Sequence, residues 1–137
     1  MAPELQDVGL AVKRVQHRHH RALDARLSAE LGISLVQWDA LRHIDRNPGS
    51  SLHGLAELTF QTDQSFGALA ARLVRRGLVE RVPGSGRALR HRLTPAGTEL
   101  LRKGGAIVDG VLAESFQPLS ATEVATLHVL LTRLLAR

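Results

Sequence analysis

The stretch Thr62-Asp63-Gln64-Ser65-Phe66-Gly67-Ala68-Leu69-Ala70-Ala71-Arg72-Leu73-Val74-Arg75-Arg76-Gly77 decides the reading of this chain. Phe66, Leu69, Ala70 and Leu73 recur at three- and four-residue intervals, the period of one buried helical stripe. Thr62 is a good N-cap, and Asp63 follows in the first turn, where the helix dipole favours an anion. Arg75 and Arg76 fall in the last turn, where cations are favoured, and Gly77 is the expected residue just past the end. With Phe66 at zero and 100° per residue, Gln64, Ala68, Ala71 and Arg75 centre on the opposite face, flanked by Ser65, Gly67 and Arg72. That face is small and polar and ends in arginine. Gln pairs with adenine, alanine methyls suit thymine methyls, and Arg suits guanine or phosphate.

Working outward, Ser51 caps a short helix with Leu52, Leu55, Ala56 and Leu58 as its inner residues. Before it, Asn47-Pro48-Gly49 is a turn that ends a helix opened by the capping box Ser34-Leu35-Val36-Gln37, with Leu35, Trp38, Leu41 and Ile44 inward. After Gly77, Leu78–Val82 and Ala88–Leu93 read as two strands. Pro83-Gly84-Ser85-Gly86-Arg87 joins them in a hairpin that leaves Arg87 at the tip. The middle of the chain is thus helix–turn–helix followed by a hairpin. Seven arginines and one acid, Glu80, lie between Arg72 and Arg92. This concentration of charge beside a presented helix points to a polyanion, and a major groove is the natural receptacle for such a helix. The helix start, with Thr62, Gln64 and Ser65, offers phosphate contacts.

Long helices flank this middle. Leu5, Val8, Val12, Val15, His19 and Ala22 form one stripe of a helix from about Gln6 to Leu31, which Gly32 stops. Thr94-Pro95 is an N-cap and N1 pair starting a helix to about Ser115. Pro118 interrupts, and the capping box Ser120-Ala121-Thr122-Glu123 opens a last helix striped by Val124, Leu127, Leu131 and Leu134. These stripes exceed what a small helix–turn–helix lobe needs for its own core. A second copy of the chain is the simplest cover, with an intramolecular bundle as the alternative.

Composition closes other routes. The chain has 137 residues, a net charge of +5, 44% hydrophobic residues, 3% aromatics and no cysteine. A disulfide framework, thiolate zinc site or cysteine nucleophile is therefore excluded, and a base-stacking RNA surface is starved of aromatics. No apolar run reaches the ~20 residues of a membrane span, and Met1–Gln6 lacks a signal-peptide pattern. The expectation is a cytoplasmic protein of one domain with no membrane contact. No nucleophile motif, phosphate-cradling loop or apolar carboxylate pair occurs, so the reading is not an enzyme. No catalytic residue, cofactor or metal ligand is assigned.

The run Leu55-Ala56-Glu57-Leu58, Gln61 to Phe66, Leu69, Leu73, Arg76-Gly77-Leu78-Val79-Glu80-Arg81 and Arg92-Leu93-Thr94-Pro95-Ala96-Gly97 resembles the winged helix–turn–helix of MarR-type transcriptional regulators. Leu31 to Leu41 resembles the entry to their second helix. The resemblance implies a mainly α fold with a small β-hairpin wing (α+β): one MarR-like domain over 1–137, with a DNA-binding lobe at 34–93 and dimerisation helices at 5–31 and 95–136. It implies a homodimeric repressor on a pseudo-palindromic double-stranded operator, released by a small-molecule effector. By position it carries DNA contacts to Thr62, Gln64, Ser65, Ala68, Arg72, Arg75 and the wing-tip Arg87. The chain departs from the family where Asp63 replaces a frequent Pro, Ala68 a common Arg and Ser85 a wing Asp, and where the wing is about two residues short. These departures leave open a protein-interaction module with weak or lost DNA binding. A metal- or pH-sensing dimer is the third alternative. His17 and His20, about 60° apart on the first helix, are its candidate ligand-binding residues, with His43 or His53 as further neighbours. Trp38 is read as core, with ligand lining as its alternative role.

Overall fold

The computed structural model describes residues 1–84 and 89–136. Six helices and one hairpin follow in the order α1 (Leu5–Leu31), α2 (Leu35–Arg46), α3 (Leu52–Leu58), α4 (Asp63–Arg75), β1 (Val79–Pro83), β2 (Leu89–Leu93), α5 (Pro95–Ser115) and α6 (Ala121–Leu135). The boundaries fall where the local chemistry places them. Ser34, Ser51, Thr62, Thr94 and Ser120 each accept a backbone N–H at a helix start, and Gly32 ends α1 in the left-handed conformation at φ 64°. Such caps are worth about 1 kcal/mol each.

The core is a single cluster drawn from the lobe and from one side of the long helices. Phe66, Leu69, Ala70 and Leu73 of α4 are all buried, and they pack with Leu55 and Ala56 of α3 and Trp38, Ala40, Leu41 and Ile44 of α2. Leu23 and Leu27 of α1, Ile33, Leu78, Val79, and Val108 and Val111 of α5 complete it. One expectation is corrected. Leu58 is exposed, at the last residue of the seven-residue α3. The α1 stripe is left open by this chain over its first turns. Leu5, Val8, Val12 and Val15 face solvent, while Leu23 and Leu27, further along the same helix, carry the packing against the core.

The hairpin is antiparallel, with Val79 opposite Leu93, Glu80 opposite Arg92 and Arg81 opposite His91. Glu80, the lone acid of the basic segment, is ion-paired to Arg92 across the strands. Two joints lock the lobe to its flanks. The Leu35 amide donates to Asp24 of α1 at 2.8 Å. The Thr94 hydroxyl donates to the Gly77 carbonyl at 2.6 Å, while its amide donates to Leu78 at 3.0 Å. The second joint needs Gly97, because any side-chain carbon there would overlap the Leu78 carbonyl. The end of α4 and the start of α5 are therefore held by one short backbone clamp.

Candidate nucleic-acid interface

Burial of the Phe66 stripe fixes which side of α4 is left over. Thr62, Gln64, Ser65, Ala68, Arg72 and Arg75 are all exposed. Thr62 accepts the Ser65 amide at 3.0 Å, so the Asp63 and Gln64 amides remain at the open, electropositive end of the helix. The Ser65 hydroxyl donates to Gln61 at 3.2 Å, which orients both side chains at that end. The face therefore runs from amides and small polar groups to two guanidiniums. It has little side-chain bulk to keep a duplex away. Arg87 and Ser85 lie outside the described residues.

Gly67 lies on the flank of this face. A methyl group added there would meet only Leu52, at 3.7 Å, an ordinary contact. Packing therefore does not require the glycine.

Asp63 is not a free carboxylate. His53 of α3 reaches it through Nδ1 at 2.9 Å, and through Nε2 it reaches Glu57 at 2.8 Å. The hydrogen bond and charge of Asp63, then the charge of Glu57, raise the His53 pKa above its ordinary value. From the sequence, Asp63 reads as a first-turn anion favoured by the helix dipole and as a departure from the family pattern, with no partner indicated. The ten-residue step from His53 to Asp63 spans two helices, and no local pattern marks it.

Behind the α4 start lies an open cavity of about 1040 Å³, walled by α1, α2, α5 and the α3–α4 turn. His20 and Trp38 line it, with Arg42, Asp109 and Phe60, and so does Ser65 of the exposed α4 face. His17 does not join them and is exposed on α1. Trp38 is chiefly a core residue. It is buried, its Nε1 donates to the Leu101 carbonyl at 3.1 Å, and Gly104 lies so close that a side chain there would strike the indole. His19 is drawn into the chain's own packing, at 2.6 Å from the Ser115 hydroxyl and edge-on to Phe116. His43 meets Asp39 and His53 meets Asp63 and Glu57, so neither turns toward the α1 histidines. Among the described residues, no group of three His, Asp or Glu is placed to hold a metal ion. Among the described residues, no helix is long and apolar enough to cross a membrane.

Phe60 gave no signal in the sequence. It is the one non-glycine residue among those described with positive φ, at 57°, and its side chain is 97% exposed at the cavity mouth. The left-handed backbone there costs about 1 kcal/mol or more for a residue other than glycine.

A helix–turn–helix with a following hairpin, a polar outward helix and an arginine-rich end defines a winged-helix regulator fold. The comparisons agree. The sequence profile of the MarR family matches residues 31–88. A mutant of MarR from E. coli in complex with operator DNA is similar at 27% identity, with 94% of each chain covered and a TM-score of 0.83. A probable transcriptional regulator from Pseudomonas aeruginosa is similar at 28% identity over 96% of this chain and 99% of the other, TM-score 0.80. A Mycobacterium tuberculosis MarR family protein in complex with p-aminosalicylic acid is similar at 26% identity over 97% and 98%, TM-score 0.78. No curated protein matches the sequence. Residues 31–88 thus match the MarR family model, and the chain as a whole has the winged helix–turn–helix fold of these MarR-family structures.

Proposed function

We propose that this protein is a sequence-specific, homodimeric repressor that lays α4 in the major groove of an operator and is released by a small-molecule ligand. The observation that carries the reading is the division of α4. Its apolar stripe is wholly consumed by the core, and the remaining face is exposed, amide-rich at one end and cationic at the other. The related E. coli protein was crystallised on operator DNA, which supports the same use of the same element here.

Dimer formation is supported by apolar surface the chain does not cover. No residue of α6 is buried, and Leu134 and Leu135 are 69% and 81% exposed. Leu5, Val8, Val12 and Val15 leave further apolar surface open on α1, and a second copy is the self-consistent cover. The division into a lobe at 34–93 and dimerisation helices at 5–31 and 95–136 follows from that assignment. Ligand release is supported by the cavity, because Ser65 belongs both to its wall and to the α4 face. A ligand there would bear directly on the DNA-reading helix. The related M. tuberculosis protein, crystallised with p-aminosalicylic acid, supports small aromatic acids as first ligands to try. As a DNA-bound regulator the protein would act in the cytoplasm.

The test is selection of genomic fragments by the purified protein, followed by titration of a selected duplex. The expected product is a pseudo-palindrome whose half-sites lie about one helical turn apart. Arg72→Ala should weaken binding about tenfold or more if it contacts a base, and less if it contacts phosphate alone. Retention without sequence preference, unchanged by Arg72→Ala, would overturn the reading in favour of an interaction module.

A further inference from the structure

The trio His53, Glu57 and Asp63 lies where α3 delivers the chain to α4. Both imidazole nitrogens face carboxylates, Nε2 at 2.8 Å from Glu57 and Nδ1 at 2.9 and 3.1 Å from the two Asp63 oxygens. An ionised carboxylate only accepts hydrogen bonds, and a neutral imidazole has only one N–H to give. Both contacts are hydrogen bonds only when the ring is the imidazolium. In that form the trio carries one negative charge, and when the ring loses its proton it carries two. Asp63 is also the first residue of α4, at the end where open amides and the helix dipole receive a phosphate.

We propose that His53 is a positioning residue for DNA: as the imidazolium it clasps Asp63 away from the phosphate path, so operator binding tightens as pH falls. This rests on the DNA-binding reading of α4. The fold supplies the geometry because α3 and α4 pack through Leu55, Ala56 and Phe66, which fixes the exposed edge of one helix beside the start of the other.

The charges acting on His53 are Asp63 of α4 and Glu57 of its own helix. From α2, which also packs on α3, His43 is engaged with Asp39, while Asp45 and Arg46 line the cavity. Arg72 and Arg75 of α4 are nine and twelve residues beyond Asp63. At ~1.5 Å per residue that is more than a Debye length at physiological salt, so they do not substitute for the imidazolium. The hydrogen bond and charge of Asp63, then the charge of Glu57, hold the imidazolium to a pH above the ordinary histidine value. The pair is solvent-exposed, with His53 and Asp63 side chains at 65% and 58%. Such pairs add little to folding stability. The effect therefore belongs to DNA affinity, where a phosphate meets either a clasped or a released carboxylate.

The experiment is fluorescence-anisotropy titration of a duplex selected by this protein, at fixed ionic strength, from pH 6 to pH 8.5. The wild type should lose affinity as pH rises, by about twofold to fivefold for each half-site. His53→Gln should bind at the weaker, high-pH level throughout, with a reduced slope. Asp63→Asn should bind at the tighter level, also with a reduced slope. The remaining histidines are the same in all three proteins, so the differences between the curves isolate His53. Circular dichroism establishes that the variants share the wild-type fold. If His53→Gln keeps the wild-type slope while DNA is bound, this proposal fails and the regulator reading stands. If none of the three retains any duplex at any pH, the regulator reading fails and this proposal with it.

Discussion

The lobe and the flanking helices solve the same problem in opposite ways. In the lobe, each apolar stripe finds its partner within the chain: Phe66, Leu69, Ala70 and Leu73 are buried, and what remains of α4 is polar. In the outer helices the stripes are longer and remain open. Only Leu23 and Leu27 of the 27-residue α1 are buried, and α6 buries nothing. The lobe thus closes its own core, whereas the flanks leave apolar surface open, the surface that the proposed dimer would cover. A regulator of a palindromic site requires both, because one lobe supplies the contacts and the pairing sets their spacing.

The sharpest way to break this contrast is to make the open face charged. Leu131→Asp with Leu134→Asp should leave a folded monomer by light scattering and lower operator affinity by about 10²- to 10⁴-fold, the loss expected when two linked half-site contacts become independent. A stable dimer in that variant would mean the face serves something else. The mirror experiment is in the lobe. Phe66→Ala should cost about 3–5 kcal/mol in denaturant unfolding, since the ring is fully buried. A loss under about 1 kcal/mol would show that the lobe core is not closed as described.

A smaller effect separates packing from reading within α4 itself. Gly67→Ala should stabilise the protein by about 1 kcal/mol, because the helix gains and Leu52 accommodates the methyl group. If the glycine serves close approach to DNA, the same variant should bind its operator more weakly. Higher stability with unchanged affinity would assign Gly67 no part in reading.

The smallest effect concerns the wing. His91 on β2 is half-buried, its Nδ1 has no hydrogen-bond partner, and burial, then the charge of Arg81, lowers its pKa. The unfolded chain therefore takes up a proton on His91 before the folded one does. The contribution is fully present above the ordinary histidine value of 6.5 and is lost as pH falls through the lower folded value. His53 has the opposite sign, so its contribution is present at low pH and fades as pH rises through its raised value. His91→Asn should flatten the acid side of a thermal-stability profile, and an unchanged acid side would remove His91 from the account.

Much of this was legible in the residues because capping and periodicity are local. The five Ser and Thr caps, Gly32, Gly77 and the Phe66 stripe place every helix to within a residue or two, and with the stripe they define the outward face of α4. What escaped depends on contacts between elements. The α1 stripe is a genuine periodicity, but nothing in it says where along the helix this chain's core begins, at Leu23 and Leu27. Leu58 fits the helical spacing yet lies where α3 has run out. The His53 clasp joins residues on two helices, and the left-handed Phe60 occupies a conformation its type does not advertise. Asp63 is the instructive case: read alone it argues against a phosphate nearby, and read with His53 it becomes part of how the helix start is charged.

The most direct test of the account is hydroxyl-radical footprinting on a duplex selected by the full-length protein. The account predicts two protected patches related by a dyad, centred ~34–36 Å apart along the helix axis, with protection lost in Arg72→Ala combined with Arg75→Ala. A single patch, or a footprint indifferent to those two arginines, would contradict it.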